Sequence, residues 1–275
     1  MNKSEVISAL QELGQKPKKG LGQNFLIDNN ILEKIVVASE IKKGDRIMEI
    51  GPGLGMLTNA LILSGSSVTY IEKDKILAQR LSMEKLKGTE GVCADAAKLD
   101  YSKVMGRASW KFVSNLPYAI TSIALRNALY TKNPPMILVA LIQKEVADRI
   151  MEPIRSNKVS LLGLMCNLAC SKIEIVARVS KNSFFPPPKV ESAIIKMWVM
   201  DNKVRQKKWG IDGERIMQFA KRGFAHPRKL VQRNLDINNN DWQKAANDLG
   251  FKIKSRAEDI TIEQWASLTK LFQKK

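Results

Sequence analysis

Arg46-Ile47-Met48-Glu49-Ile50-Gly51-Pro52-Gly53-Leu54-Gly55 reads as a buried strand running into a glycine-rich turn, with Met56 to Leu63 as the helix behind it. Glycines at such a turn let the backbone approach a ligand closely and tolerate positive φ. The alternation repeats outward from this unit. Val68-Thr69-Tyr70-Ile71 reads as a second strand ending at Glu72, and Lys75 to Leu86 as a second helix. Gly91 to Ala94 is a short third strand, followed by Asp95. Phe112-Val113-Ser114 is the fourth and Met136 to Ile142 the fifth. Strands alternating with helices imply a doubly wound, parallel α/β sheet. Lys172 to Val179 and Val190 to Val199 read as two later strands, an antiparallel pair at the sheet edge. Between them, Pro186-Pro187-Pro188 excludes helix and central strand and forms a rigid loop.

Beyond Met200 the character changes. Apolar residues recur at helical spacing around Ile216, Leu230, Trp242 and Trp265, which predicts four short helices. The expected division is therefore a sheet domain over 1–200 and a small all-α domain over 201–275. The whole chain of 275 residues carries a formal net charge of +18. Residues 201–275 hold 17 Lys/Arg against 9 Asp/Glu, a net of +8. Such charge points to a polyanionic partner, nucleic acid before an anionic membrane. No apolar run is long enough to span a bilayer, and the first ten residues lack the apolar core of a signal peptide. The three cysteines, Cys93, Cys166 and Cys170, form an odd, low count that fits a reducing cytoplasm. With His226 the only histidine and far away, no metal site is expected, and Cys166 and Cys170 read as packed core. No heptad or long apolar helix face stands out, so a monomer is expected.

The residues that carry chemistry lie at strand ends, where open α/β sheets place their ligands. Glu72 follows Gly51 by 21 residues, the offset at which an acid binds the ribose hydroxyls of an adenosine-containing cofactor. That fits a dinucleotide as well as S-adenosylmethionine. The glycine spacing is G-x-G-x-G, with Met56 where a dinucleotide fold has its third glycine. Glu49 would repel phosphates and tolerate a cationic amino acid and sulfonium; alternatively it is a structural acid bonding backbone amides. Asp95 could accept from an adenine amino group or cap a helix. Lys18-Lys19-Gly20-Leu21-Gly22-Gln23-Asn24-Phe25-Leu26, within about 16–27, reads either as a basic lid over the site or as a solvated N-terminal loop. Asn115-Leu116-Pro117-Tyr118 offers an amide, a fixed backbone and an aromatic face, which together suit a planar ring with an exocyclic amino group. Phe184 and Phe185 precede the proline corner; one of them could stack on a flipped base opposite Tyr118, or both are core.

Four runs in this order resemble the rRNA adenine N6-dimethyltransferase family: Gly22 to Leu26, Glu49 to Gly55, Asn115 to Tyr118, and Phe184-x-Pro186-x-Pro188-Lys189-Val190 with Ser192-Ala193. The resemblance covers about residues 16–272. It implies a Rossmann-like class I methyltransferase sheet with S-adenosylmethionine as methyl donor and no metal. It implies cofactor contacts at Asn24, Leu26, Gly51, Glu72, Asp95 and Asn115. The catalytic residues it implies are Asn115, Pro117, Tyr118 and Phe184, with Tyr118 and Phe184 holding the target adenine. The implied substrate is two adjacent adenosines in the 3′-terminal hairpin loop of 16S rRNA, within a 30S subunit or its precursor, each dimethylated at N6. The chain departs from the family pattern at Ala94-Asp95-Ala96, which keeps the acid, and at Pro227-Arg228-Lys229-Leu230-Val231 in the C-terminal basic run.

In the mechanism this implies, the Asn115 oxygen and the Pro117 carbonyl accept hydrogen bonds from the adenine N6 amine, and Tyr118 stacks on the ring. Three other readings remain. An Erm-type 23S rRNA methyltransferase shares the catalytic runs. A nicotinamide-dependent oxidoreductase would need the third glycine. An RNA-binding assembly factor would need no catalytic tetrapeptide.

Overall fold

The computed structural model describes residues 1–84, 86–156 and 158–273; the side chains of Lys19 and Arg155 lie outside that description. The chain forms two units, Met1–Ala147 with Lys172–Val199, and Asp148–Ser171 with the chain from Met200 onward. In chain order the first contains α1 (Lys3–Glu12), β1 (Phe25–Leu26), α2 (Asn29–Ala38), β2 (Arg46–Ile50), α3 (Met56–Leu63), β3 (Ser67–Glu72) and α4 (Lys75–Met83). It continues with β4 (Thr89–Cys93), α5 (Tyr101–Met105), β5 (Lys111–Asn115), α6 (Thr121–Leu129) and β6 (Ile137–Gln143). After α7 (Lys144–Arg155) and α8 (Leu161–Ala169) come β7 (Cys170–Val179), β8 (Phe184–Phe185) and β9 (Ser192–Val199).

Seven strands form one sheet in the order β4-β3-β2-β5-β6-β9-β7. Neighbours from β4 through β6 run parallel, and β9 runs antiparallel to β6. The chain moves from β2 through β3 to β4 on one side, then crosses to β5 on the other. The order thus reverses at β2 and β5, and a crevice opens there beyond the strands' carboxyl ends. Ile47, Met48, Phe112, Val113 and all of Leu138 to Ile142 are fully buried. Strands covered on both faces need such unbroken apolar runs.

The expected α/β sheet is present, with local differences. Helix α4 ends at Met83 rather than Leu86. The Leu86 carbonyl instead accepts from the Thr89 N–H and hydroxyl, a turn that feeds β4. After Pro117 the chain makes a short three-ten turn, Tyr118–Ile120, before α6.

The second unit contains α8 with α9 (Asn202–Trp209), α10 (Gly213–Gly223), α11 (Val231–Leu235), α12 (Asn239–Leu249) and α13 (Ile262–Phe272). Its core gathers Trp209, Ile216, Phe219, Trp242 and Trp265 with Val159, Leu164 and Leu168. That core explains why the division differs from the expected boundary at 200. Residues 148–171 belong to the helical unit because their apolar side chains are buried among its tryptophans. Within that unit the Trp209 indole N–H donates to the Leu168 carbonyl at 2.9 Å, and the Val159 N–H to the Glu258 carbonyl at 2.8 Å. Helix α9 adds to the four expected after Met200. Its only large apolar residues are Val204 and Trp209, too few for a periodic signal, and its caps Asp201 and Gly210 define it instead. Among the described residues no helix is long and apolar enough to cross a membrane.

Candidate active site

The site is built at the crevice between β2 and β5. Gly51 leaves β2 at φ +65°, with its N–H on the Ile71 carbonyl at 2.9 Å. The Ser114 hydroxyl donates to the Ile50 carbonyl at 2.7 Å, which ties β5 to the base of the loop. Glu72, at the end of β3, is 6% exposed. Its Oε2 accepts from the Gly53 N–H at 3.2 Å and its Oε1 from the Asp74 N–H at 2.8 Å. The carboxylate is thus held against the glycine loop by two main-chain donors. Burial nevertheless raises its pKa above the usual carboxylate range.

Asp95 fills one of the two roles left open by its sequence, the cap, and adds an ion pair. Its Oδ1 accepts from the Ala97 N–H at 3.0 Å, capping a short helical turn, and its Oδ2 pairs with Lys73 at 3.0 Å. The Lys73 hydrogen bond holds its carboxyl below the ordinary value.

Glu49 bonds a side chain rather than backbone amides: its Oε2 accepts from the Thr58 hydroxyl at 2.7 Å. Burial, reinforced by the nearby Glu72 charge and only partly offset by Thr58, pushes its carboxyl from 4.5 up to about 8. Unfolded chains release this proton near pH 4.5, whereas the folded protein holds it to about 8. The contribution to stability is therefore complete below 4.5 and is lost as pH rises to 8. Glu49→Gln removes this titration. We expect its melting temperature to gain on wild type between pH 5 and pH 8.5, by an amount on the order of a few kcal/mol in stability. Parallel melting curves across that range would contradict it.

The N-terminal segment closes against these groups. Lys18 Nζ meets Asp74 Oδ2 at 2.8 Å, and the Gln23 side-chain amide donates to the same oxygen at 3.1 Å. The Lys18 N–H donates to Gln23 Oε1 at 2.8 Å, and the Asn24 side chain to the Gly22 carbonyl at 3.1 Å. Phe25 and Leu26 pair antiparallel with Phe185 and Phe184. The loop reading of 16–27 is thus a tied segment along the pocket wall, anchored beside Glu72.

Asn115 ends β5, and its Nδ2 donates to the Asn24 carbonyl at 3.4 Å, which leaves Oδ1 as an acceptor. The Leu116 N–H donates to the Leu141 carbonyl at 3.1 Å. The Tyr118 hydroxyl lies 2.6 Å from Ser192 Oγ.

Two of the expected catalytic groups are engaged within the protein. The Pro117 carbonyl accepts from the Ile120 N–H at 3.1 Å and the Thr121 hydroxyl at 3.4 Å, and so closes the helical turn. Among the described residues no donor is directed at the Leu116 carbonyl. Phe184 is 2% exposed, packed with Leu26, Ile31, Ile35, Val179 and Ile194. Its ring lies within that cluster, and the aromatics that line the pocket are Phe25 and Tyr118.

Of the expected site residues, Asn24, Leu26, Gly51, Glu72, Asp95, Asn115, Pro117 and Tyr118 all line one cleft; Phe184 does not. The cleft encloses about 1220 Å³, its open mouth included, which is room for a nucleoside-bearing ligand and part of a second ring. Met56 lines it where a dinucleotide fold needs a glycine, so a pyrophosphate finds a bulky side chain at the helix start. The sequence reading missed Thr58, Asp74 and Ser192 as partners. Asp74 was visible two residues after Glu72, and Ser192 lay inside a quoted run. Nothing local marked Thr58.

A family model described as "Ribosomal RNA adenine dimethylase" matches residues 14–274. "Ribosomal RNA small subunit methyltransferase A" of Clostridium botulinum (strain Kyoto / Type A2) is 34% identical over 277 residues, covering 98% of each chain. The protein of the same name from Dehalococcoides mccartyi (strain BAV1) is 33% identical over 261 residues, covering 92% of this chain and 87% of that one. Among solved structures, a dimethyladenosine transferase from Plasmodium falciparum superposes with a TM-score of 0.73 at 23% identity, covering 90% of this chain and 97% of that one. The 23S rRNA methyltransferase ErmE superposes with a TM-score of 0.66, also at 23% identity, covering 91% and 100%. At those identities the two structures support the fold alone.

Proposed function

The chain belongs to the ribosomal RNA adenine dimethylase family, and on that basis we propose that it dimethylates N6 of two adjacent adenosines in the 3′-terminal hairpin loop of 16S rRNA. The 30S subunit or its precursor is the substrate, and the protein acts as a monomer. The names of the two relatives above support the small-subunit substrate. The observation that carries the chemistry is that Asn115 and Tyr118 line the same cleft as the carboxylates of Glu72 and Asp95. One cleft therefore serves an adenosine-bearing donor and a second planar ring.

The donor set fits S-adenosylmethionine. Glu72 accepts from ribose hydroxyls and Asp95 from an adenine amino group. Asn24, Leu26, Gly51 and Asn115 complete the wall, and the buried acid Glu49 tolerates a cation. Bound there, S-adenosylmethionine supplies an electrophilic methyl group. The Asn115 oxygen accepts a hydrogen bond from the amino group of the target adenine. That bond draws the nitrogen lone pair out of ring conjugation and stabilises the positive charge that develops on it. With the Pro117 carbonyl engaged in its turn, the second acceptor is the Leu116 carbonyl. Tyr118 stacks on the ring and sets the line of approach. Asn115 to Tyr118 contains no His, Cys or Lys, and none is needed, because the methylated amine is acidic and loses its proton to water.

The test is transfer of labelled methyl groups to undermethylated 30S subunits, with 50S subunits and 23S rRNA alongside, then mapping of the label. N6,N6-dimethyladenosine at two adjacent positions of 16S rRNA is the expected result. Label on 23S rRNA would move the assignment to the Erm type.

A further inference from the structure

We propose that Ser192 is a positioning residue for methyl transfer: its hydroxyl clamps the Tyr118 ring in the plane on which the target adenine stacks. The clamp rests on the adenine-methylating role proposed above and adds a residue to it.

Ser192 is fully buried, and its hydroxyl lies 2.6 Å from the Tyr118 hydroxyl. A buried hydroxyl without a partner is destabilising, and the Tyr118 hydroxyl supplies the partner here. The two residues come from opposite mechanical surroundings. Ser192 begins β9 and pairs with Gln143 at the end of β6, so its position is set by a seven-residue antiparallel ladder. Tyr118 stands in a three-ten turn just past the end of β5, with no strand pairing of its own. Its ring is half-buried and faces the cleft.

A ring held only at its Cβ can rock about its side-chain torsions. A ring held also at its hydroxyl, some 6 Å further out, cannot do so without breaking the bond. Burial raises the Tyr118 phenol above its ordinary value, so the hydroxyl stays protonated and keeps its hydrogen-bonding capacity at working pH. This also explains why a serine follows the proline corner by four residues in the Pro188-Lys189-Val190-Glu191-Ser192 run. Pro188 sets the turn, and Ser192 delivers the hydroxyl.

The experiment compares Ser192→Ala, Tyr118→Phe and the double variant in initial rates on 30S subunits, and observes the ring directly by NMR with tyrosine carbon-13 labelled at Cζ. The chain has four tyrosines, so deletion of one peak in Tyr118→Phe assigns it. Each single variant should lower kcat by about 3- to 10-fold, the worth of one hydrogen bond, with KM for S-adenosylmethionine within about twofold. The double variant should be no slower than the slower single. The Cζ resonance of Tyr118 should shift in Ser192→Ala. A general loss of structure would move KM and make the two losses multiply, which would overturn the clamp. So would full kcat in Ser192→Ala, or an unmoved resonance. Should wild type methylate no adenine while the resonance still moves, the proposed reaction fails and the hydroxyl pair stands.

Discussion

Asn115→Ala should lower methyl transfer by about 100- to 1000-fold, with the larger part of the loss in kcat and the melting temperature close to wild type. The expectation follows from where the side chain is held. Asn115 ends β5, which pairs with β6 on one side and β2 on the other, all deep in the sheet. Its amide nitrogen is turned to the Asn24 carbonyl, a long bond of 3.4 Å that adds little to stability. In the proposed reaction its oxygen is the part that meets the reacting amine. Truncation to alanine removes the acceptor that the proposed reaction uses and leaves the strand pairing intact. Steady-state kinetics in both substrates, with a melting curve, checks the division. Near-normal kcat would remove Asn115 from the mechanism. A collapse in melting temperature would make it a structural residue.

Gly51→Ala should cost about 2 kcal/mol of stability and at least tenfold in kcat, because one added carbon acts on two functional elements. The residue sits at φ +65°, a conformation that disfavours any side chain. An alanine Cβ would lie 3.0 Å from Pro117 Cγ and 3.3 Å from its Cδ. The proline ring is rigid, so the contact is relieved by moving the backbone of Leu116 and Pro117 rather than a side chain. That displacement reaches Asn115 and Tyr118. Gly44→Ala is the control. It has φ +87° and open space around its Cβ, so it carries the backbone cost without the contact. Denaturant midpoints should fall in both variants, and kcat in Gly51→Ala alone. Equal kinetics in the two would show that the Gly51–Pro117 contact positions nothing.

Much of the catalytic unit is written locally. The first strand, the glycine turn and α3 occupy the expected residues, Arg46–Ile50 and Met56–Leu63. A buried parallel strand needs an unbroken apolar run, and a tight turn needs glycine, whatever the rest of the chain does. The carboxylates Glu72 and Asp95 were legible for a related reason, since strand ends in this topology face the ligand. The four quoted runs hold seven of the nine expected site residues, and six of those seven line one cleft together with Glu72 and Asp95.

Phe184 shows where that reasoning stops. Its run resembles a base-stacking element, yet pairing of Leu26 with Phe184 carries its ring into the core beside Ile31 and Ile194. Exposure depends on what packs against a residue, and those partners lie far away in sequence. The Pro117 carbonyl is similar. Proline fixes the chain direction, but that its carbonyl closes a turn depended on Ile120 and Thr121. Residues 148–171 read as part of the sheet domain by sequence position. Val159, Leu164 and Leu168 place them with the helical unit, because apolar surface is buried wherever a complementary core exists.

The chain's own periods, turn residues and charges thus specify a parallel α/β sheet, a cleft at its carboxyl edge, a basic helical region and a nucleic-acid partner. Each is a property of residues near one another in sequence. Which ring opens to the cleft, which acid stays protonated and which hydroxyl holds Tyr118 were decided by tertiary packing. Burial and hydrogen-bond partnership are relations between distant segments, and Tyr118 meets Ser192 across 74 residues of chain.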